Sequence, residues 1–146
     1  MMTLLDKCHE IEKARLIVRD MTPDDRNTAA TMLGQVAKTG FFPADFFPCT
    51  GVVVEQNGTM ICIIPVYLES SSKAAVLGHF IANPDVNRKI VAEAARIAIE
   101  AAVAFAKKHE RTYIISIFGR NSINRIADKC GFDTAEIIEE KIYTGR

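Results

Sequence analysis

The chain has 146 residues, 49% of them hydrophobic and 25% charged. That is the size and balance of one globular domain, large enough to bury a core without disulfides or metals. Eighteen basic residues offset eighteen acidic ones, so the net charge gives no ground for nucleic acid, a membrane surface or an acidic substrate. The longest apolar-leaning stretch, residues 90 to 106, is broken by Glu93, Arg96 and Glu100, which excludes it as a membrane span.

The first residues, MMTLLDKCHEIEKAR, lack the apolar core and cleavage site of a signal peptide, and a cytoplasmic location is expected. Within them LLDKCHEIEKA reads as a short amphipathic helix, an extension over residues 1–14 that could cap the sheet or touch a partner subunit. LIVRD (16–20) is a short strand. Thr22-Pro23-Asp24-Asp25 then supplies an N-cap, a proline at the first helical position and acids in the first turn, so a helix is expected to about Lys38. TGFFPADFFPCTG (39–51) is a loop holding four phenylalanines.

GVVVEQNG (51–58) and TMICIIPVYLES (59–70) are strands joined by Asn57-Gly58, a strong hairpin signal. AAVLGHFIA (74–82) is a third strand of this region. Residues 87–109 form a long helix with one buried face, carrying Ile90, Val91, Ala94, Ala98 and Ala102. RTYIISIFG (111–119) is a continuous apolar strand of the kind found at a sheet centre. NSINRIADKCGF (121–132) is a short helix ended by Gly131, and AEIIEEKIYTG (135–145) is a last strand. The fold class is therefore α/β, a mixed sheet flanked by helices in the order β-α-β-β-β-α-β-α-β, in one domain over 1–146. Strand 74–82, the long helix and strand 111–119 make a βαβ unit with parallel strands.

Cys8, Cys49, Cys62 and Cys130 show no CxxC pair, and His9, His79 and His109 add no metal-ligand spacing. Reduced, mostly buried thiols and no metal are expected. Arg88 and Lys89 stand in the first turn of the long helix, where cations oppose the helix dipole. They are either solvated residues or the flank of an anion site.

Four segments in this order resemble the GCN5-related N-acetyltransferase (GNAT) family. LIVRDMTPDD is similar to its "x-R-x-x-T-x-x-D" opening, and GVVVEQNGTMICIIPVYLES to its second and third strands. HFIANPDVNRKIVAEAARIAIEAA stands in the place of its "V-x-P-x-x-R-x-x-G-x-G" coenzyme motif, and NSINRIADKCGF in that of "N-x-x-A-x-x-L-Y-x-x-x-G-F". Together they cover about residues 15 to 146. The resemblance implies the acyl-CoA N-acyltransferase fold, acetyl-CoA as co-substrate without a metal, and direct acetyl transfer to the amine of a small molecule or protein. A homodimer is left open. It also implies that Ile81, Ala82 and Asn83 offer a strand edge to the coenzyme. Asn87, Arg88, Lys89, Ile90, Val91 and Ala92 would hold its pyrophosphate, and Asn121 opens the fourth segment as a further contact.

The motif departs from the family where Asn87, Ile90 and Ala92 replace the usual Arg or Gln, Gly, and Gly or Ala. Ile90 is compatible with a phosphate turn if the backbone stays αR-helical and only its amides are needed; otherwise it closes the site. The place of the family's acid tyrosine falls on Ala127, beside Asp128. The family's base positions fall near Val76 and Gly78. His79 is next along, and strand alternation turns it to the other face unless a bulge intervenes. Glu55 on the hairpin is a second candidate base, and Glu69 a further carboxylate. Phe41, Phe42, Asp45 and Phe46 lie where the family binds its acceptor, either as an apolar pocket or as core. A GNAT-like binding or assembly module without activity is the alternative, and an unrelated α/β domain a third.

Overall fold

A computed structural model describes residues 15–36, 43–118 and 122–133. The expected N-terminal helix over 1–14 and the expected last strand over 135–145 lie outside them. In chain order the elements are β1 (Ile17–Asp20), α1 (Asp25–Val36), a 3-10 turn (Ala44–Phe46), β2 (Gly51–Gln56), β3 (Thr59–Leu68), β4 (Ala74–Leu77), β5 (Ile81–Ala82), α2 (Arg88–Lys108), β6 (Tyr113–Ser116) and α3 (Ser122–Lys129). The strands run β1-β2-β3-β4-β6 across the sheet, and β5 pairs with β3. All pairs are antiparallel except β4 with β6.

Strand alternation sends β2 and β3 side chains to two cores. Val52, Val54, Cys62, Ile64 and Val66 face α2 and α3, whereas Val53 and Ile63 pack with Met21, Ala29, Leu33 and Phe47 on the side of α1. Both faces being covered explains the unbroken burial of residues 51–54 and 61–66. Helix α2 meets the sheet through Ala94, Ala95, Ala98, Ile99, Ala102 and Ala106. Alanines at this spacing form a stripe without bulk, so the helix axis lies close over β2 and β3.

The local signals act as their chemistry requires. Asn57 and Gly58 both take positive φ, 51° and 78°, the pair that a two-residue hairpin needs. Gly131 (φ 95°) follows α3, and Phe132 N–H returns to Ala127 C=O at 3.1 Å, closing the helix in a Schellman pattern. Strand β6 differs from the expected central strand. Among the described residues it ends the strand order, and Tyr113 and Ile115 are 68% and 53% exposed. Its apolar run alternates instead of being buried on both faces.

The expected strand 74–82 is broken, and the register shows how. Val66 pairs with Leu77 and Ile63 with Ile81. Two residues of β3, Ile64 and Pro65, therefore face three on the other chain: Gly78, His79 and Phe80. This is a β-bulge, and Pro65 accounts for it. Odd-numbered residues of β3 bond toward β4 and β5, as Ile61 C=O does with Asn83 N–H at 2.9 Å. Pro65 has no N–H to place on that side, and proline inside a sheet is confined to edges and bulges. Its C=O still accepts Gly78 N–H at 2.8 Å. Leu77 faces the α2 core and Ile81 the α1 core, although four residues apart they would share a face in an unbroken strand. A Cβ on Gly78 would stand 2.9 Å from the Tyr67 ring and 3.3 Å from Pro65 O. Gly78→Ala is expected to cost about 1–3 kcal/mol of stability, the range for overpacking, read as a lowered urea midpoint with unchanged slope.

The opening motif is a structural clamp. Arg19 donates Nη1 and Nη2 to Asp25 at 2.7 and 2.9 Å and Nε to Glu55 at 2.7 Å. Thr22 donates both its N–H and its hydroxyl to the Asp25 carboxylate at 2.7 and 3.0 Å, so Thr22 and Asp25 act as a capping pair for α1. The Arg19 hydrogen bonds, opposed by burial and helped by Thr22, hold the Asp25 carboxyl at about 2, below its ordinary 3.8. Because that pKa is depressed on folding, its stabilisation is complete above about pH 4 and is lost as the pH falls through about 2. Asp25→Asn should lower stability by about 1–2 kcal/mol at pH 7, after allowance for the partly exposed Arg19. Chemical denaturation should show that difference shrinking between about pH 4 and 2.

Candidate active site

Among the described residues, the sheet changes its pairing at the bulge. Parallel pairing of β4 with β6 ends at Leu77 and Ser116, with Ile117 N–H donating to Leu77 C=O at 3.3 Å. Beyond that point the chain follows β3 as β5, whose pairing is to β3. Asn83 N–H bonds to Ile61, so by alternation Phe80 and Ala82 turn their backbone groups away from β3. They point to the side on which β4 had met β6. Among the described residues, Ile81 and Ala82 thus stand on a strand edge whose other side is unpaired.

At the end of that edge a rigid turn leads into α2. Asn83 Nδ2 donates to Met60 C=O at 2.9 Å, and its Oδ1 accepts Asp85 N–H at 3.0 Å. Val86 N–H closes the turn on Asn83 C=O at 3.2 Å. Asn87 is the N-cap, its Oδ1 accepting Lys89 N–H at 2.8 Å. The other N–H groups of the first turn point out of the helix end, where the dipole is positive. Arg88 and Lys89 are exposed there, and the first turn holds no acid. Asp85 is the acid of the preceding turn.

Ile90 lies in a regular helical turn. Among the described non-glycine residues only Asn57 and Glu110 have positive φ, so residues 87–92 ask for no glycine. The side chains of Ile90 and Val91 pack against the core, away from the exposed helix end, and Ala92 is exposed.

The bulge also decides where His79 goes. Tyr67 and Val76 pair directly on the face opposite Val66 and Leu77, which is the face of α1. The extra residue brings His79 to that face too, its ring 6.0 Å from the Phe46 ring. Phe46 packs edge-on against Phe47 at 5.1 Å, and Tyr67 Oη donates to Phe46 C=O at 3.1 Å. His79, Phe46 and Tyr67 therefore gather on one face beside the gap, with Asp45 exposed on the same 3-10 turn. Glu55 is elsewhere: it pairs with Met60 on the hairpin, and its carboxylate is held by Arg19. Glu69 accepts from Ser71 at the far end of β3. Ala127 is fully buried in the α3 contact, and Asp128 is exposed. Phe41, Phe42 and Asn121 lie outside the described residues.

Tyr67, Gly78 and Pro65 were not singled out by spacing. A proline within an apolar strand and a glycine within its partner were the available signal, and only the register brings them face to face. The thiols are as expected in part: Cys62 is buried and its thiol is pushed up to about 12 by burial, Cys130 is half-buried, but Cys49 is exposed. Cys8 lies outside the described residues.

No family model matches the chain, and no curated protein does. Solved structures do. Ard1 from Thermoplasma volcanium superposes with a TM-score of 0.63 at 15% identity, covering 83% of this chain and 84% of its own. An aminoglycoside acetyltransferase from an uncultured soil metagenomic sample, in complex with sisomicin, gives 0.62 at 9% identity, covering 90% and 97%. AAC(6')-Iy, in complex with a bisubstrate analogue that joins CoA to an acetylneamine, gives 0.61 at 13%, covering 90% and 99%. At these identities the likeness is one of fold: the chain has the mixed sheet and flanking helices of the GCN5-related N-acetyltransferases.

Proposed function

We propose that the chain is an acetyl-CoA-dependent N-acetyltransferase acting on a small-molecule amine. One observation carries this: the sheet opens at the Gly78–Phe80 bulge beside a helix end that bears two cations and no acid. A closed α/β sheet has no need of such an opening, and cations at a helix start are unfavourable unless an anion joins them. The fold shared with an acetyltransferase that holds a CoA-linked analogue supports the same reading.

The first-turn amides of α2, together with Arg88 and Lys89, would hold the pyrophosphate. Phe80 and Ala82 would offer their outward N–H and C=O groups to the amides of the coenzyme's arm, while Ile81 and Asn83 keep that edge bonded to β3. Bound acetyl-CoA supplies an activated acyl group: a C–N bond forms, the C–S bond breaks, and CoA leaves as a thiol. Phe80 N–H, aimed into the gap, is the donor that polarises the acyl oxygen. His79 takes the proton from the acceptor ammonium, from the same face as Phe46. With Ala127 buried where a tyrosine acid would stand, water protonates the departing sulfur, and such a substitution slows the step without abolishing it.

Acetyl-CoA and CoA are expected to bind with micromolar affinity in calorimetric titration of the full chain. Reversing both charges, Arg88→Glu with Lys89→Glu, should weaken binding by about tenfold or more. His79→Gln should leave that affinity intact and lower kcat by about 10²–10⁴. No binding at millimolar coenzyme would overturn the transferase reading and leave a GNAT-like module that binds or assembles without catalysis.

A further inference from the structure

We infer that the acceptor is an aromatic or alkyl amine with a single positive charge, not a polycation, and that Phe46 and Asp45 set this choice. The inference rests on the transferase reading and concerns the face that carries His79.

The wall beside His79 is aromatic. Phe46 lies 6.0 Å from the imidazole, backed by Phe47 at 5.1 Å. The 3-10 turn that carries Phe46 is fixed by Tyr67 Oη on Phe46 C=O at 3.1 Å, and Tyr67 is held in β3 opposite Val76. Phe46 is therefore a preset surface for an apolar body.

The charges around it suit one ammonium. Asp25 and Glu55 are both held by Arg19 at 2.7 Å, at the β1 end of the sheet. Asp20 ends β1 and Asp24 precedes α1; both are exposed, and two strands separate β1 from β5. Asp45, exposed on the turn itself, is the carboxylate beside Phe46. The same turn also binds a cation: Arg26 donates Nε to Ala44 C=O at 3.1 Å and Nη1 to the Cys49 sulfur at 3.5 Å. A second or third ammonium on the acceptor would face the like charge of Arg26. One charge on an apolar body fits, and a polyamine is opposed.

The test uses the full chain with saturating acetyl-CoA and three acceptors: phenethylamine, hexylamine and the polycation sisomicin. Phenethylamine is expected to show kcat/KM about 100-fold above sisomicin, a ratio within reach of one apolar pocket and one charge mismatch. Phe46→Leu should raise the phenethylamine KM by about tenfold with kcat held within about twofold. Asp45→Asn, a surface change that leaves folding untouched, should raise KM for all monoamines. Preference for sisomicin, or an unchanged KM in both variants, overturns the inference. So does coenzyme binding without acetylation of either monoamine, an outcome that leaves the transferase reading standing. Failure to bind acetyl-CoA removes that reading, and the inference with it.

Discussion

The missing N–H of Pro65 is the constraint on which the site depends. Inside a sheet each odd residue of β3 owes a hydrogen bond to its neighbour on the β4 side, and Pro65 cannot donate one. The neighbouring chain answers with an extra residue, and Gly78 supplies the space, since a side chain there would collide with Tyr67 and Pro65. From this one mismatch follow the change of face between Leu77 and Ile81, the end of pairing with β6, and the arrival of His79 beside Phe46. A bulge in this place is a device for re-aiming side chains and exposing backbone. An unbroken ladder would have closed the sheet and sent His79 into the opposite core.

The second requirement is rigidity on either side of the gap. Below it, the alanine stripe of α2 holds the helix close over β2 and β3, so that its N-terminus sits at a fixed place relative to β5. The side chains of Asn83 and Asn87 lock the connecting turn to β3 and to the helix. At the other end of the sheet, Arg19, Thr22 and Asp25 tie β1 to the start of α1. Their energetic role is to seat α1, which in turn covers the face on which Phe46, Phe47 and His79 meet. None of these contacts touches the proposed reaction, yet each fixes an element that does.

Much of the fold was legible in the sequence because its signals are local. Asn57-Gly58, the Thr22-to-Asp25 helix start and Gly131 each act within a few residues, and the order of the elements they bound is what resembles the acetyltransferases. Strand 74–82 was read as continuous because its composition is; the break lies in a long-range pairing with Pro65 that no window along the chain reveals. The same limit applied to Glu55, whose partner Arg19 is 36 residues away, and to β6, whose apolar run suggested a central strand although two of its side chains are exposed. Ile90 pointed in two directions from sequence alone. The structure shows it within a regular helix, packed against the core.

The most direct test of this account follows the backbone amides of Phe80 and Ala82 by NMR as acetyl-CoA is added to the full chain. If the bulge opens the sheet for the coenzyme, both amides shift, and their hydrogen exchange slows on binding, together with the first-turn amides of α2. Coenzyme binding that leaves Phe80 and Ala82 unchanged would contradict the account, because the edge created by Pro65 and Gly78 would then serve something else.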